Sequence, residues 1–74
     1  MTKKLGRETN AQREFRLKGP LGVRQVRQEN QTVFWGRMGI TQSGGSRYEQ
    51  GRPMPGPARK LFGVLYLGER LPSA

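Results

Sequence analysis

The chain has 74 residues, of which 14 are Lys or Arg and five are acidic, which gives a formal net charge of +9. It contains neither cysteine nor histidine, which excludes disulfide cross-links and the usual zinc ligands. No apolar run approaches the roughly 20 residues of a membrane span, and no apolar segment follows Met1-Thr2-Lys3-Lys4, so we expect neither a membrane protein nor a signal peptide.

The charge excess indicates a polyanionic partner, the alternative being a basic protein that is merely soluble. The sequence shows no catalytic constellation, because His, Cys and Asp are all absent and the five Glu residues are scattered singly. The pair Gly44-Gly45 is not followed by the Gly-Lys-Ser or Gly-Lys-Thr of a phosphate loop. We therefore expect a binding protein without enzymatic activity, metal or cofactor.

The first 18 residues are polar and basic. Their large apolar members, Leu5, Phe15 and Leu17, share no sustained helical period. This composition is typical of a flexible segment, so we predict a flexible basic arm over residues 1–18, with local order at most near Phe15.

Helix signals begin at Pro20, which can occupy the first turn of a helix. Asn30 and Thr41 are good N-caps, and Gly39 stands between them where a helix would stop. A Pro- and Gly-rich loop precedes Pro57, which suits another first turn. The pattern predicts an all-α unit over residues 19–68 and a tail over 69–74, with helices at about 21–29, 31–38, 42–50 and 57–67.

Large apolar side chains recur at helical spacing within these segments. Those of the second and third predicted helices fall where two crossing helices would bury them, and those of the fourth form a stripe along one face. The predicted core therefore comprises Phe34, Met38, Ile40, Tyr48, Leu61 and Leu65.

The stretch from Asn30 to Gly51 reads as two short helices joined by a tight turn at Gly39. In this arrangement the chain resembles the λ-repressor/Cro-like (XRE) helix-turn-helix family, from about Leu21 to Leu67. It is most similar to the RsaL-type quorum-sensing repressors of that family, in the run Glu29-Asn-Gln-Thr-Val-Phe-Trp-Gly-Arg-Met-Gly-Ile-Thr-Gln-Ser and in Gly45-Ser46-Arg47. The resemblance implies a four-helix λ-repressor-like domain that binds double-stranded DNA.

Two departures from the family pattern stand ten residues apart. The family usually has Ala where this chain has Trp35, and Val or Ile where it has Gly45. We interpret the pair as an exchange of volume in the core, in which the missing side chain of Gly45 leaves space for the indole. In the alternative, Gly44-Gly45 is a loop and no recognition helix exists, since each glycine inside a helix costs about 1 kcal/mol relative to alanine.

The resemblance also implies the residues that would contact DNA. Gln42 and Ser43 open the third predicted helix, whose N-terminal residues contact base edges in the family, and a glutamine can pair with adenine. Arg47 could reach a guanine or a phosphate, and any one of these polar residues could instead be ordinary solvated surface. Further candidates for base contacts are Thr41, Ser46 and Gln50, and candidates for phosphate contacts are Asn30, Gln31, Arg37, Arg52, Arg59 and Lys60.

A structural ion pair is implied as well. The family commonly pairs the Glu of its Tyr-Glu-x-Gly helix end with an Arg of the first helix. The matching residues here are Glu49 and Arg24, so we predict a partly buried Arg24–Glu49 pair.

By resemblance, the protein is a repressor in the bacterial cytoplasm that binds a partly palindromic operator as a homodimer, without an evident small-molecule effector. RsaL-type relatives imply target genes for acyl-homoserine-lactone synthesis.

The basic arm could contact phosphates or be a solvated tail. Alternatives are a phage or plasmid repressor, an autoregulatory antitoxin, or a sequence-neutral RNA-binding protein. The candidate dimer surface, whose members could equally close the monomer core, is Val64, Leu65, Tyr66, Leu67 and Leu71.

Overall fold

The computed structural model describes residues 8–70, and this part of the chain is all-helical. No helix in this range is both long and apolar enough to cross a membrane. Residues 1–7 of the predicted arm and residues 71–74 of the predicted tail, with Leu71 of the candidate dimer surface, lie outside the described residues. The helices of residues 8–70 are α1 (Asn10–Lys18), α2 (Pro20–Arg27), α3 (Gln31–Gly36), α4 (Gln42–Glu49) and α5 (Gly56–Tyr66).

Helix α1 corrects the prediction of a flexible arm for residues 10–18. It begins with a capping box, in which the Thr9 hydroxyl accepts the Gln12 backbone N–H at 3.0 Å. The Gln12 side-chain oxygen accepts the Thr9 backbone N–H in return, at 2.9 Å. These two bonds satisfy backbone donors that have no partner inside the helix. Local capping therefore supports a helix that the weak apolar period did not reveal.

Helix α1 also packs against the rest of the fold. The centroid of the Phe15 ring lies 5.3 Å from that of Phe62 in α5. The Gln12 side-chain amide donates to the Leu67 carbonyl oxygen at 2.8 Å, beyond the end of α5. Close approach to α2 requires Gly22, because a Cβ there would lie 2.6 Å from the Glu14 carbonyl oxygen. Residues 10–18 of the predicted arm are thus part of the packed unit.

The core of residues 8–70 is built around aromatic rings. Phe34 and Tyr66 stack with centroids 4.2 Å apart and planes 9° from parallel, and the Tyr66 hydroxyl donates to the Phe34 carbonyl oxygen at 2.6 Å. Because this bond satisfies the only polar group of the Tyr66 side chain, it offsets the cost of removing the hydroxyl from water. The fully or nearly fully buried apolar residues are Val23, Phe34, Trp35, Phe62, Tyr66 and Leu67.

The prediction that Leu61 and Leu65 form the inward face of α5 is wrong. Leu61 and Leu65 are 40% and 42% exposed, whereas Phe62 and Tyr66, one position further along, are buried. Successive helix positions differ by about 100° in direction, so only one of these two stripes can face the core. The larger aromatic side chains occupy it because they remove more apolar surface from water.

The other predicted core residues are buried in the core or packed against it. Phe34 and Trp35 are fully buried, and Met38, Ile40 and Tyr48 are half-buried and packed against the core. Helix α3 ends at Gly36, two residues earlier than predicted, because the backbone N–H of Met38 bonds to the Trp35 carbonyl as part of a turn. The starts of α3 and α4 agree with the predicted ones, and the remaining helix ends differ by one or two residues.

Candidate nucleic-acid interface

Helices α3 and α4 are joined by a short turn over residues 37–41. Gly39 has φ +73°, a left-handed conformation that glycine adopts without steric cost. Thr41 then caps α4, and its hydroxyl accepts the Gly44 backbone N–H at 3.1 Å. Gly44 and Gly45 lie inside α4, so the alternative in which they form a loop is wrong.

Trp35 and Gly45 occupy complementary volumes between α3 and α4. The indole is fully buried, and a Cβ built on Gly45 would overlap its five-membered ring. A glycine in a helix interior costs about 1 kcal/mol relative to alanine. Burial of a large aromatic side chain contributes more than that, which explains how α4 tolerates glycine here.

One side of α4 carries polar side chains that face solvent around a shallow concavity. It is lined by Gln31, Gln42, Ser43, Ser46, Arg47 and Gln50. Gln31 is contributed by the start of α3 and Gln50 is the C-cap of α4, while the other four belong to α4 itself. Thr41, another candidate for base contact, is exposed at the N-terminus of α4, where its hydroxyl is engaged in the helix cap.

Beneath this face, the carboxylate of Glu49 accepts hydrogen bonds from three side chains. Arg24 donates twice, from Nε at 2.7 Å and from Nη2 at 2.9 Å. Trp35 donates from its indole nitrogen at 2.8 Å, and Gln31 donates from its amide nitrogen at 3.1 Å. The Glu49 side chain is only 5% exposed, so the charge is almost completely removed from solvent.

Two opposing effects act on the pKa of Glu49. Burial raises the pKa, and the hydrogen bonds from Arg24, Trp35 and Gln31 lower it. The bonds prevail, and the pKa lies below its usual value, so Glu49 is ionised and can only accept hydrogen bonds. The family resemblance predicted the partner Arg24, but the bonds from Trp35 and Gln31 were not anticipated.

The network extends to the exposed surface through a second glutamine. The Gln42 amide nitrogen donates to the Gln31 side-chain oxygen at 3.3 Å. A buried carboxylate in the core is therefore connected to the first residue of α4 by two consecutive hydrogen bonds.

The candidates for phosphate contact fall into two groups. Asn30 caps α3 with its side-chain oxygen, and Arg52 and Lys60 are exposed. Arg37 and Arg59 instead form ion pairs with Glu29 and Glu69, which the sequence did not indicate. A phosphate contact by either arginine would have to replace or extend its ion pair.

A cluster around Glu29 links the loop before α3 to α5. Arg37 donates to Glu29 at 2.7 Å and to the Tyr66 hydroxyl at 3.2 Å, and Arg27 lies over the Tyr66 ring at 4.9 Å. The hydrogen bond from Arg37 lowers the pKa of Glu29 to about 2, with a further contribution from Arg27. No sequence pattern indicated this cluster, because its members meet only in the fold.

Charge is distributed unevenly over the surface. All five Glu residues form ion pairs within residues 8–70, so none presents a free negative charge there. Over the same residues, the basic side chains that have no carboxylate partner are Arg13, Arg47, Arg52, Lys60 and Arg70. The net positive charge is thus concentrated on side chains that remain available to an external anion.

A short helix, a tight glycine turn and a second helix with an exposed polar face define a helix-turn-helix protein, a class that binds DNA. Residues 21–65, more than half of the chain, match the family model described as the RsaL-like HTH domain, and the chain belongs to that family. No curated protein and no solved structure shows significant similarity to it.

Proposed function

We propose that this protein is a sequence-specific, double-stranded DNA-binding repressor without enzymatic activity. The observation that carries the proposal is the exposed face of α4, where Gln42, Ser43 and Arg47 stand together with no packing role. Side chains of this kind read base edges, since amides and guanidinium groups match the hydrogen-bonding patterns of the major groove. The free basic side chains described above support the proposal through their attraction to phosphates.

In this proposal, α4 lies in the major groove with its N-terminal end toward the bases, and α3 crosses the DNA backbone. Gln42 pairs with an adenine, while Arg47, one turn further along, contacts a guanine or a phosphate. Ser46 and Gln50 supply secondary contacts, as does Thr41 at the start of the helix. Asn30, Gln31, Arg52 and Lys60 contact phosphates.

A short recognition helix reads only a few base pairs, so the proposed operator has two half-sites bound by a homodimer. The dimer surface needs revision, because Tyr66 and Leu67 are 7% and 3% exposed and belong to the monomer core. Leu61, Val64 and Leu65 are 37–42% exposed at helical spacing along α5. We propose this stripe as the face that contacts the second copy of the chain.

The biological setting is proposed from the family alone. Membership in the RsaL-like family supports a quorum-sensing role in a bacterial cytoplasm, with control of acyl-homoserine-lactone synthesis as the expectation. A phage or plasmid repressor and an autoregulatory antitoxin would use the same face of α4. The genes next to the recovered operator in a genome would distinguish these settings.

The test is selection of bound duplexes from a random library, followed by competition binding at physiological salt. We expect one half-site sequence, present twice and about one helical turn apart. Competition should show a preference of at least about 10³-fold for the selected duplex over random duplex.

The rival function, sequence-neutral RNA binding, predicts the opposite result. RNA and random duplex would then compete as well as the selected duplex, and the library would return no common sequence. Either result would overturn the proposed function.

A further inference from the structure

We propose that Trp35 is a positioning residue that fixes the rotation of α4 about its own axis and so determines how strongly the protein prefers one DNA sequence. The inference rests on the function proposed above and adds a determinant of specificity that is fully buried and does not itself touch DNA. It is carried by two contacts that the indole makes with α4, one at Gly45 and one at Glu49.

The two contacts lie one helical turn apart on the same side of α4. Gly45 faces the Cγ and Cδ1 atoms of the indole, and the Glu49 carboxylate accepts the neighbouring indole N–H at 2.8 Å. Residues four apart in a helix stand on one face, about 6 Å from each other along the axis. A single planar ring therefore holds α4 at two points, which resists both rotation of the helix and sliding along its axis.

The indole of Trp35 is itself held in place by the core. The side chain is fully buried, and the rings of Phe34, Tyr48 and Phe62 surround it with centroid distances of 5.3–5.8 Å. In a close-packed interior, a side chain of this size cannot change rotamer without displacing its neighbours. The hydrogen bond to Glu49 also fixes which edge of the indole faces α4, a constraint that a phenylalanine could not supply.

Small rotations of α4 matter because contacts to bases are short. A group about 6 Å from a helix axis moves by about 1 Å when the helix turns by about 10°. A hydrogen bond of about 2.9 Å is lost over such a displacement. Gln42, Ser43 and Arg47 would then no longer match the same base edges. Contacts to phosphates are more tolerant, because they depend on charge and carry no sequence information.

The measurable quantity is the ratio of the affinities for the selected duplex and for random duplex. Rotational freedom of α4 lowers the affinity for the selected duplex and leaves the affinity for random duplex, which phosphate contacts dominate, nearly unchanged. Partial unfolding of a variant lowers both affinities by the same factor, so a merely structural role would not change the ratio.

The experiment uses the full chain. Trp35→Phe keeps an aromatic ring but removes the N–H donor and part of the contact with Gly45, so it should lower the ratio by roughly tenfold. Because Trp35 is the only tryptophan of the chain, it can also be replaced by benzothienylalanine, in which sulfur takes the place of the indole N–H. This analogue retains the shape of the ring and removes only the donor, and it should lower the ratio by a smaller factor.

Phe15→Ala is the matched control, because Phe15 packs against Phe62 from α1, and its loss weakens the core without removing a contact between α3 and α4. This variant should keep the wild-type ratio. An unchanged ratio in Trp35→Phe would overturn the inference, as would an unchanged ratio in the analogue if Trp35→Phe does not fold. An equal fall in Phe15→Ala would overturn it as well.

Each of these contrary results leaves specific binding by the wild type, and with it the proposed function, intact. A wild-type protein without any preferred duplex would instead contradict the proposed function and the inference together.

Discussion

Three donating side chains converge on the carboxylate of Glu49, and its removal would leave all of them without their acceptor. Arg24 would suffer most, because its side chain is only 20% exposed and would hold an unpaired charge. Loss of one partner of a buried ion pair costs about 3–5 kcal/mol. We therefore expect Glu49→Ala to lower the melting temperature by about 12 °C or more, measured by circular dichroism.

Glu8→Ala is the matched control, since Glu8 pairs with Arg16 on the exposed surface of α1. Exposed ion pairs contribute little to stability, so this variant should melt close to the wild type. Equal melting temperatures for Glu49→Ala and the wild type would contradict a structural role for the Arg24–Glu49 pair.

The contact between Trp35 and Gly45 leads to a second prediction at single residues. A methyl group on Gly45 would overlap the indole, which is enclosed and cannot move aside. Gly45→Ala should therefore destabilise the protein by about 1–3 kcal/mol, although alanine favours helices. Chemical denaturation would measure the change.

Gly36→Ala provides the control, because a Cβ at that position of α3 meets no atom within 4 Å. That substitution should be neutral or stabilising by up to about 1 kcal/mol. Destabilisation by both variants to the same extent would show that the loss at Gly45 does not come from the indole.

At the scale of single elements, α1 offers a direct comparison between two of its apolar residues. Phe15 packs against Phe62, whereas Leu17 is 60% exposed. Phe15→Ala should lower the free energy of unfolding by about 2 kcal/mol, which is less than a fully buried phenylalanine would contribute. Leu17→Ala should change it by less than about 0.5 kcal/mol. Similar small effects of both would indicate that α1 does not contribute to the stable fold.

The elements differ in how far the sequence determined them. The turn at Gly39 and the caps Asn30 and Thr41 are local features with fixed positions, so α3 and α4 were predicted nearly correctly. Helix α1 was missed because its main contact, Phe15 with Phe62, joins residues distant in the chain. Its capping pair Thr9 and Gln12 was a usable local signal.

Contacts between residues distant in the chain also limited the prediction of α5 and of the candidate site. Both stripes of α5 are apolar at helical spacing, and only the tertiary partners decide that Phe62 rather than Leu61 faces the core. Within the site, the polar residues of α4 were predicted from the family resemblance. The bonds of Gln31 and Trp35 to Glu49 could not be predicted, because they depend on how α3 and α4 cross.

At the scale of the whole molecule, the pH dependence of stability follows from Glu29 and Glu49. The pKa of each is lowered in the folded protein, to about 2 for Glu29, from an ordinary value of 4.5. The unfolded chain therefore binds protons first as the pH falls, and stability is lost from about pH 4.5 toward pH 2.

Melting curves at a series of pH values would measure this loss. Arg37→Met removes the largest cause of the shift at Glu29 and should make the acid side of the profile less steep. A melting temperature that stays constant down to pH 2 would contradict the lowered pKa of Glu29 in the folded protein.

The dependence of DNA binding on salt tests charge and assembly together. Each phosphate that a protein neutralises contributes about 0.9 to the slope of log affinity against log salt concentration. Arg52 and Lys60 have no carboxylate partner among the described residues, so we expect each of them to neutralise a phosphate. Replacing either one by alanine should therefore lower the slope. Since a homodimer carries two copies, the slope measured by fluorescence anisotropy should fall by about 1.8 for each variant.

Arg16→Ala removes the same charge from an arginine that is paired with Glu8, so it should leave the slope nearly unchanged. An equal fall for Arg16→Ala would mean that overall charge, and not specific phosphate contacts, determines the salt dependence. A fall of about 0.9 for Arg52→Ala or Lys60→Ala would mean that one copy occupies the site. The proposed dimer along Leu61, Val64 and Leu65 would then be contradicted, because two symmetric copies must lose two equivalent contacts.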